Sequence, residues 1–173
     1  MEHLKYPVGK YNPPAEIKPE HIQQWISEIE AMPALMKAAV KDFTAKQWQT
    51  AYRSEGWTGQ QVVHHVAESH MNAFIRVKLA LTEDNPTIKP YLENKWANLP
   101  DVNKTAPEIS IQLLEALHIR WVTLLRCMAT TDFERTFFHP EKQSSMTLAY
   151  ATGLYAWHCR HHVGHLEIIR KSN

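Results

Sequence analysis

The sequence predicts an all-α protein built as a four-helix bundle, and three observations carry the prediction. Apolar residues recur at spacings of three and four along four long stretches. Helix-start and helix-stop signals bracket those stretches. Glycine is scarce, at five in 173 residues, which suits helices better than a many-stranded sandwich with its frequent tight turns. That length fits one domain around one core, taken as residues 1–173.

Residues 1–18 carry Pro7, Pro13 and Pro14 and read as an extended lead-in. The first long helix starts near Pro19, a residue suited to a first turn. Its stripe is Ile22, Trp25, Ile26, Ile29, Met32, Leu35, Met36 and Ala39, and Pro33 inside it is expected to kink it. Thr44 and Gln47 have capping-box spacing and mark a short helical turn. The second long helix opens at Trp57-Thr58, where Thr58 and Gln61 repeat that spacing, and runs through Val62, Val66, Phe74, Val77 and Leu81 to Asn85-Pro86.

A long connection, 83–104, follows, with one short helix expected around Tyr91–Trp96. Connections of that length in compact domains are often functional. Pro107 and Glu108 open the third long helix, with the stripe Ile111, Leu114, Leu117, Trp121, Leu124 and Leu125. Residues 132–146 read as loop, and the last helix spans about Thr147 to Lys171. Six tryptophans read mostly as core.

Composition narrows the function. Nineteen basic and 18 acidic side chains leave a net charge of +1, so nothing electrostatic points to nucleic acid or an anionic membrane as partner. No apolar run approaches the roughly 20 residues needed to cross a bilayer, and the N-terminus lacks a signal peptide's apolar stretch. Two cysteines, Cys127 and Cys159, make no disulfide framework. The expected compartment is the cytoplasm.

Histidine is the unusual residue. There are 11, and seven fall in two short stretches, at 64, 65 and 70 and at 158, 161, 162 and 165. At about 100° per residue, His162 lies near 40° and His165 near −20° from His158, in the middle of the apolar face of the last helix. A buried polar group without a partner costs on the order of 1–3 kcal/mol, so a stripe of them needs a reason. A metal ion supplies one. His158 and His162 have the i, i+4 spacing that lets two imidazoles converge on one ion. A third ligand has to come from the second long helix, where periodicity alone does not choose between His65 and His70. Cys159 points about 100° away from His158 and reads as structural.

The segments from Trp57-Thr58-Gly59-Gln60-Gln61-Val62-Val63-His64-His65-Val66-Ala67-Glu68-Ser69-His70 and Tyr155-Ala156-Trp157-His158-Cys159-Arg160-His161-His162-Val163-Gly164-His165 resemble the DinB-like superfamily. Within it they are similar to the YfiT-like branch of metal-dependent hydrolases and bacillithiol S-transferases. The likeness extends to Tyr6-Pro7-Val8-Gly9 and Leu117-His118-Ile119-Arg120-Trp121. It implies a four-helix bundle with a three-histidine metal site, one ligand eight residues after the opening Trp and two directly after Tyr-x-Trp. Carried over, the ligands are His65, His158 and His162. His64, His70, His161 and His165 become neighbours. Arg160 stands where the family pattern has His, outside the ligand set. The resemblance also implies a homodimer.

Three neutral imidazoles leave a divalent ion its full charge and an open position, the pattern of catalytic sites. Zinc is the expected metal, with nickel, iron or manganese also suited to imidazole. Two chemistries follow. A low-molecular-weight thiol, activated as thiolate, can attack an electrophile, and the resemblance favours this thiol S-transferase reading. Alternatively, hydroxide generated at the metal can attack an ester or amide, as in a metal-dependent hydrolase. A metal-binding stress-response module without turnover is a third reading. Glu68, one turn past His65, is a candidate for orienting a ligand or moving a proton, beside its reading as a surface carboxylate. Tyr155 is a candidate hydrogen-bond donor, beside its reading as core. Arg76, Lys78, Arg120 and Arg126 are candidates to hold an acidic thiol, or are solvated helix faces.

Overall fold

The computed structural model describes residues 2–172. Along the chain lie α1 (Glu2–Lys5), α2 (Pro19–Ala39), α3 (Ala45–Gln49), α4 (Gly59–Thr82), α5 (Glu93–Trp96), α6 (Pro100–Lys104) and α7 (Pro107–Cys127). A 3-10 turn (Thr130–Glu134), a hairpin of β1 (Thr136–His139) and β2 (Ser144–Thr147), and α8 (Leu148–Lys171) complete it. The four long helices are α2, α4, α7 and α8. Each of α2 and α4 packs against both α7 and α8, so α2 and α4 occupy one diagonal of the bundle and α7 and α8 the other.

Local chemistry sets the helix starts. Thr58 accepts from the Gln61 N–H while the Gln61 side chain accepts from the Thr58 N–H, a reciprocal cap on α4. Thr44 and Gln47 repeat it on α3. Thr147 caps α8 through the Tyr150 N–H, and prolines take the first turns of α2, α6 and α7. The bundle closes on Ile26, Ile29, Met32 and Met36 of α2, Val62 and Val66 of α4, Leu114 and Leu125 of α7, and Leu166 and Ile169 of α8, all buried. Each such side chain contributes about 1.5–3 kcal/mol.

Several expectations need correction. The 1–18 lead-in is not wholly extended. Glu2-His3-Leu4-Lys5 forms one helical turn, because no proline intervenes before Pro7. The 83–104 connection holds two short helices. Residues 132–146 are a 3-10 turn and an antiparallel hairpin pairing Thr136 with Thr147 and His139 with Ser144. Strands of four residues are too short for alternation to be legible in sequence, and their stability comes from elsewhere. Phe138 donates its N–H to the Pro86 carbonyl and accepts from the Ile88 N–H, which ties the hairpin to the segment leaving α4. That tie carries Phe137, His139 and Met146 to the side of the bundle where α4 and α8 meet.

Four of the six tryptophans belong to the core as expected, Trp25 and Trp121 within it and Trp48 and Trp57 packed against it. Trp25 and Trp121 are buried, while Trp48, Trp57, Trp96 and Trp157 are half-buried. Among the described residues no helix is long and apolar enough to cross a membrane.

Candidate metal centre

In the middle of the bundle the apolar core gives way to imidazole. His65 on α4 and His158 and His162 on α8 place one ring nitrogen each within 4.8 Å of the others. Adjacency of α4 and α8 makes this meeting possible, and the one-turn spacing of 158 and 162 brings two rings together edge to face on one side of the helix. The Nε2 atoms of His65 and His158 stand 3.4 Å apart. Two nitrogens bound to one tetrahedral zinc at 2.0–2.1 Å would be about 3.3 Å apart. The residues present therefore fit a divalent cation. Burial, followed by neighbouring histidines, pushes His65 down to about 3 and His158 and His162 well below the usual imidazole range. All three are neutral at physiological pH, the form a metal requires.

The remaining histidines have separate roles. His64 faces away, with Nδ1 2.7 Å from the Ser110 hydroxyl and Nε2 3.2 Å from the Thr105 carbonyl, and fastens α4 to the start of α7. His70, the alternative that periodicity left open, sits behind His158, its Nε2 3.1 Å from His158 Nδ1. His165 sits behind His162, Nδ1 to Nδ1 at 3.3 Å. His161 stacks on Trp157, ring centres 4.5 Å apart, and its buried Nδ1 has no partner. Together with His162 and His165 it forms a second grouping within 4.8 Å, but both nitrogens of His165 are already engaged, by His162 and by the Lys5 carbonyl. His65 is oriented by packing instead: the Trp57 ring lies 4.4 Å from its ring centre, and its Nδ1 is unpartnered.

His118 escaped sequence reasoning. It lies on α7, 2% exposed, with Nε2 2.8 Å from His70 Nδ1 and Nδ1 2.6 Å from the Ile29 carbonyl. A signal existed. Position 118 continues the buried 111–114–121–125 stripe, and it is His118 that is buried there while Leu117 is only half-buried.

Beside the histidines is a small cavity of about 150 Å³. His158, the one half-buried member of the trio, forms part of its wall, with Ser69, Tyr155, Arg76, Glu93, Lys142 and His139. The hairpin supplies His139, and Lys142 comes from its turn. Tyr155 is buried, and its hydroxyl makes one long contact, 3.5 Å, to the Ser69 carbonyl. Arg76 and Lys142 form no ion pair among the described residues. Of the other cations weighed from sequence, Arg126 pairs with Glu30, and Lys78 and Arg120 lie over the Phe74 ring. Glu68 is half-buried outside the cavity wall. Burial and then the Asp101 carboxylate push it up to about 7. Cys159 is buried, and burial raises its thiol pKa.

Comparison with known proteins identifies the family and the fold. The DinB superfamily model matches residues 28–166. A Bacillus cereus protein named "Putative metal-dependent hydrolase" is 53% identical over 171 residues, covering 99% of this chain and 98% of its own. A Bacillus anthracis protein of the same name is 52% identical over the same span. The solved structure of YfiT from Bacillus subtilis, described as "a probable metal-dependent hydrolase with an unusual four-helix bundle topology", superposes with a TM-score of 0.94 at 46% identity, covering 98% of this chain and 97% of that one. With a matching family model, close relatives along its whole length and the same bundle, this chain belongs to the DinB superfamily.

Proposed function

We propose that this protein is a metal-dependent thiol S-transferase, in which His65, His158 and His162 hold one divalent cation, zinc by preference, next to a pocket for an acidic low-molecular-weight thiol. The observation that carries the reading is the cavity wall. His158 opens onto a pocket whose other groups include two cations, Arg76 and Lys142, against one carboxylate, Glu93, which leaves the wall net positive with no ion pair closed across it. A cation held by three neutral imidazoles lowers the pKa of a thiol, about 8.5 when free, so that thiolate is present at neutral pH.

Arg76 and Lys142 bind the anionic end of the thiol and aim its sulfur toward the histidines. Tyr155 offers its hydroxyl to the substrate from the same wall. The transferred group gains a carbon–sulfur bond, its leaving group departs with the bonding pair, and the thiol proton passes to solvent. Family resemblance to bacillithiol S-transferases supports the thiol class.

A hydrolase reading is the second. The names of the relatives favour it. Its candidate base is Glu68, half-buried outside the cavity wall and pushed up to about 7 by burial and then by Asp101. A panel of thiols, bacillithiol included, offered with monochlorobimane to zinc-reconstituted protein separates the two. Thiol-dependent conjugation that weakens in Arg76→Ala through a raised KM supports the transferase. Hydrolysis of simple esters without thiol transfers the conclusion to the second reading. Tight zinc binding with neither activity leaves a non-catalytic metal-binding module.

A further inference from the structure

We propose that His70, His118 and His165 are positioning residues that fix the tautomers of His158 and His162, so that both turn an Nε2 lone pair toward the cation. The inference rests on the three-histidine reading and extends it to residues outside the ligand set. It follows from which groups can only accept. The Ile29 carbonyl has no proton, so His118 Nδ1, 2.6 Å away, carries one and donates it. His118 is neutral, since burial pushes it down to about 4, so its Nε2 is a lone pair. His70 Nδ1, 2.8 Å from that lone pair, must be the donor, which leaves His70 Nε2 unprotonated. His158 Nδ1, 3.1 Å from His70 Nε2, must in turn donate, and His158 Nε2 is left bare.

A second, shorter relay ends the same way. The Lys5 carbonyl accepts from His165 Nε2 at 3.2 Å, so His165 Nδ1 is a lone pair. His162 Nδ1, 3.3 Å away, donates to it, and His162 Nε2 is bare. Both relays terminate on carbonyls that helix geometry leaves free. Pro33 lacks the N–H that would otherwise bond the Ile29 carbonyl four residues back. Lys5 ends α1, where the last carbonyls have no partner within the helix. The first relay crosses all four long helices, from α8 to α4 to α7 to α2.

Metal-ligating histidines commonly donate their second nitrogen to a carboxylate or carbonyl. Here neutral imidazoles intervene, and no carboxylate joins the relays. The ligands stay neutral and the cation keeps its full charge. This also accounts for histidines that two-ligand spacing on α8 does not require.

Long-range nitrogen–proton NMR correlations on the metal-free full chain read the tautomers directly. The expected pattern has the proton on Nδ1 of His118, His70, His158 and His162 and on Nε2 of His165. A proton on Nε2 of His158 or His162 would overturn the proposal. Zinc affinity, measured by chelator competition, gives an independent readout. In His118→Phe, His70 loses its acceptor and can turn its proton to Nε2, which forces His158 to do likewise. Affinity is expected to drop about 10–100-fold although residue 118 is not a ligand. His118→Gln, whose amide can donate to Ile29 and accept from His70, is expected to restore most of it. Unchanged affinity in a folded His118→Phe variant counts against the proposal. If that variant does not fold, the NMR pattern of the unmodified chain decides. Failure of the unmodified chain to bind zinc sinks the three-histidine reading instead, while the tautomers remain readable in the metal-free protein.

Discussion

Acid is the perturbation to which the buried histidines should respond most. Burial pushes His118 down to about 4 in the folded chain, whereas an unfolded histidine titrates near about 6.5. Above about pH 6.5 both states are neutral and the full stability is present. Between about pH 6.5 and 4 the unfolded chain binds a proton that the folded chain does not, so stability falls as pH falls. At about pH 5 the gap from the unfolded pKa is about 1.5 units, which at about 1.4 kcal/mol per unit is about 2 kcal/mol. His65, pushed to about 3 by burial and then by His161 and His165, loses a similar amount at that pH. So does His165, pushed to about 4 chiefly by burial. Three groups at about 2 kcal/mol each remove about 6 kcal/mol, comparable with the whole stability of a domain at about 5–15 kcal/mol. Urea titrations of metal-free protein, followed by circular dichroism at about pH 7 and about pH 5, measure it. The midpoint should collapse at the lower pH, and His118→Gln should flatten the slope by about one proton's worth, about 1.4 kcal/mol per pH unit. A midpoint that holds across that interval would refute the burial of these groups in neutral form.

Elemental analysis should find one divalent ion per chain in the parent and none in His65→Ala or His158→Ala; full retention in both would remove those residues from the ligand set. Cys127→Ser and Cys159→Ser should keep the metal, because Cys127 is exposed and Cys159 is buried away from the trio; loss in Cys159→Ser would contradict that placement. Gly164→Ala should destabilise by about 1–3 kcal/mol, since its new Cβ would lie 2.7 Å from the Pro7 ring, and faster amide exchange near Lys5 would report the displaced lead-in. Ester hydrolysis, if it occurs, should rise with pH through about 7 as Glu68, held there by burial and Asp101, loses its proton; Glu68→Gln should abolish that limb, and an unchanged profile would leave Glu68 a surface carboxylate.

Sequence alone determined what is local and periodic. The four long helices, the Thr58–Gln61 cap and the proline starts depend on neighbours within a turn, so spacing exposes them. A polar residue at the centre of an apolar stripe is equally visible, which is why His158, His162 and His165 stood out and why His118 could have. Between His65 and His70, periodicity gave no decision, because both lie toward the core. Resemblance to the family singled out His65, and the tertiary structure supplied the geometry behind it: His65 faces the α8 pair while His70 stands behind His158. It alone also raised the hairpin, whose four-residue strands pair with each other and are tied through Phe138 to a segment some 50 positions earlier in the chain, and with it the placement of Lys142 and His139 beside the histidines. The direction of each imidazole proton was the last to be decided. It depends on a carbonyl freed by a proline in another helix, a relation that no spacing along one helix can express.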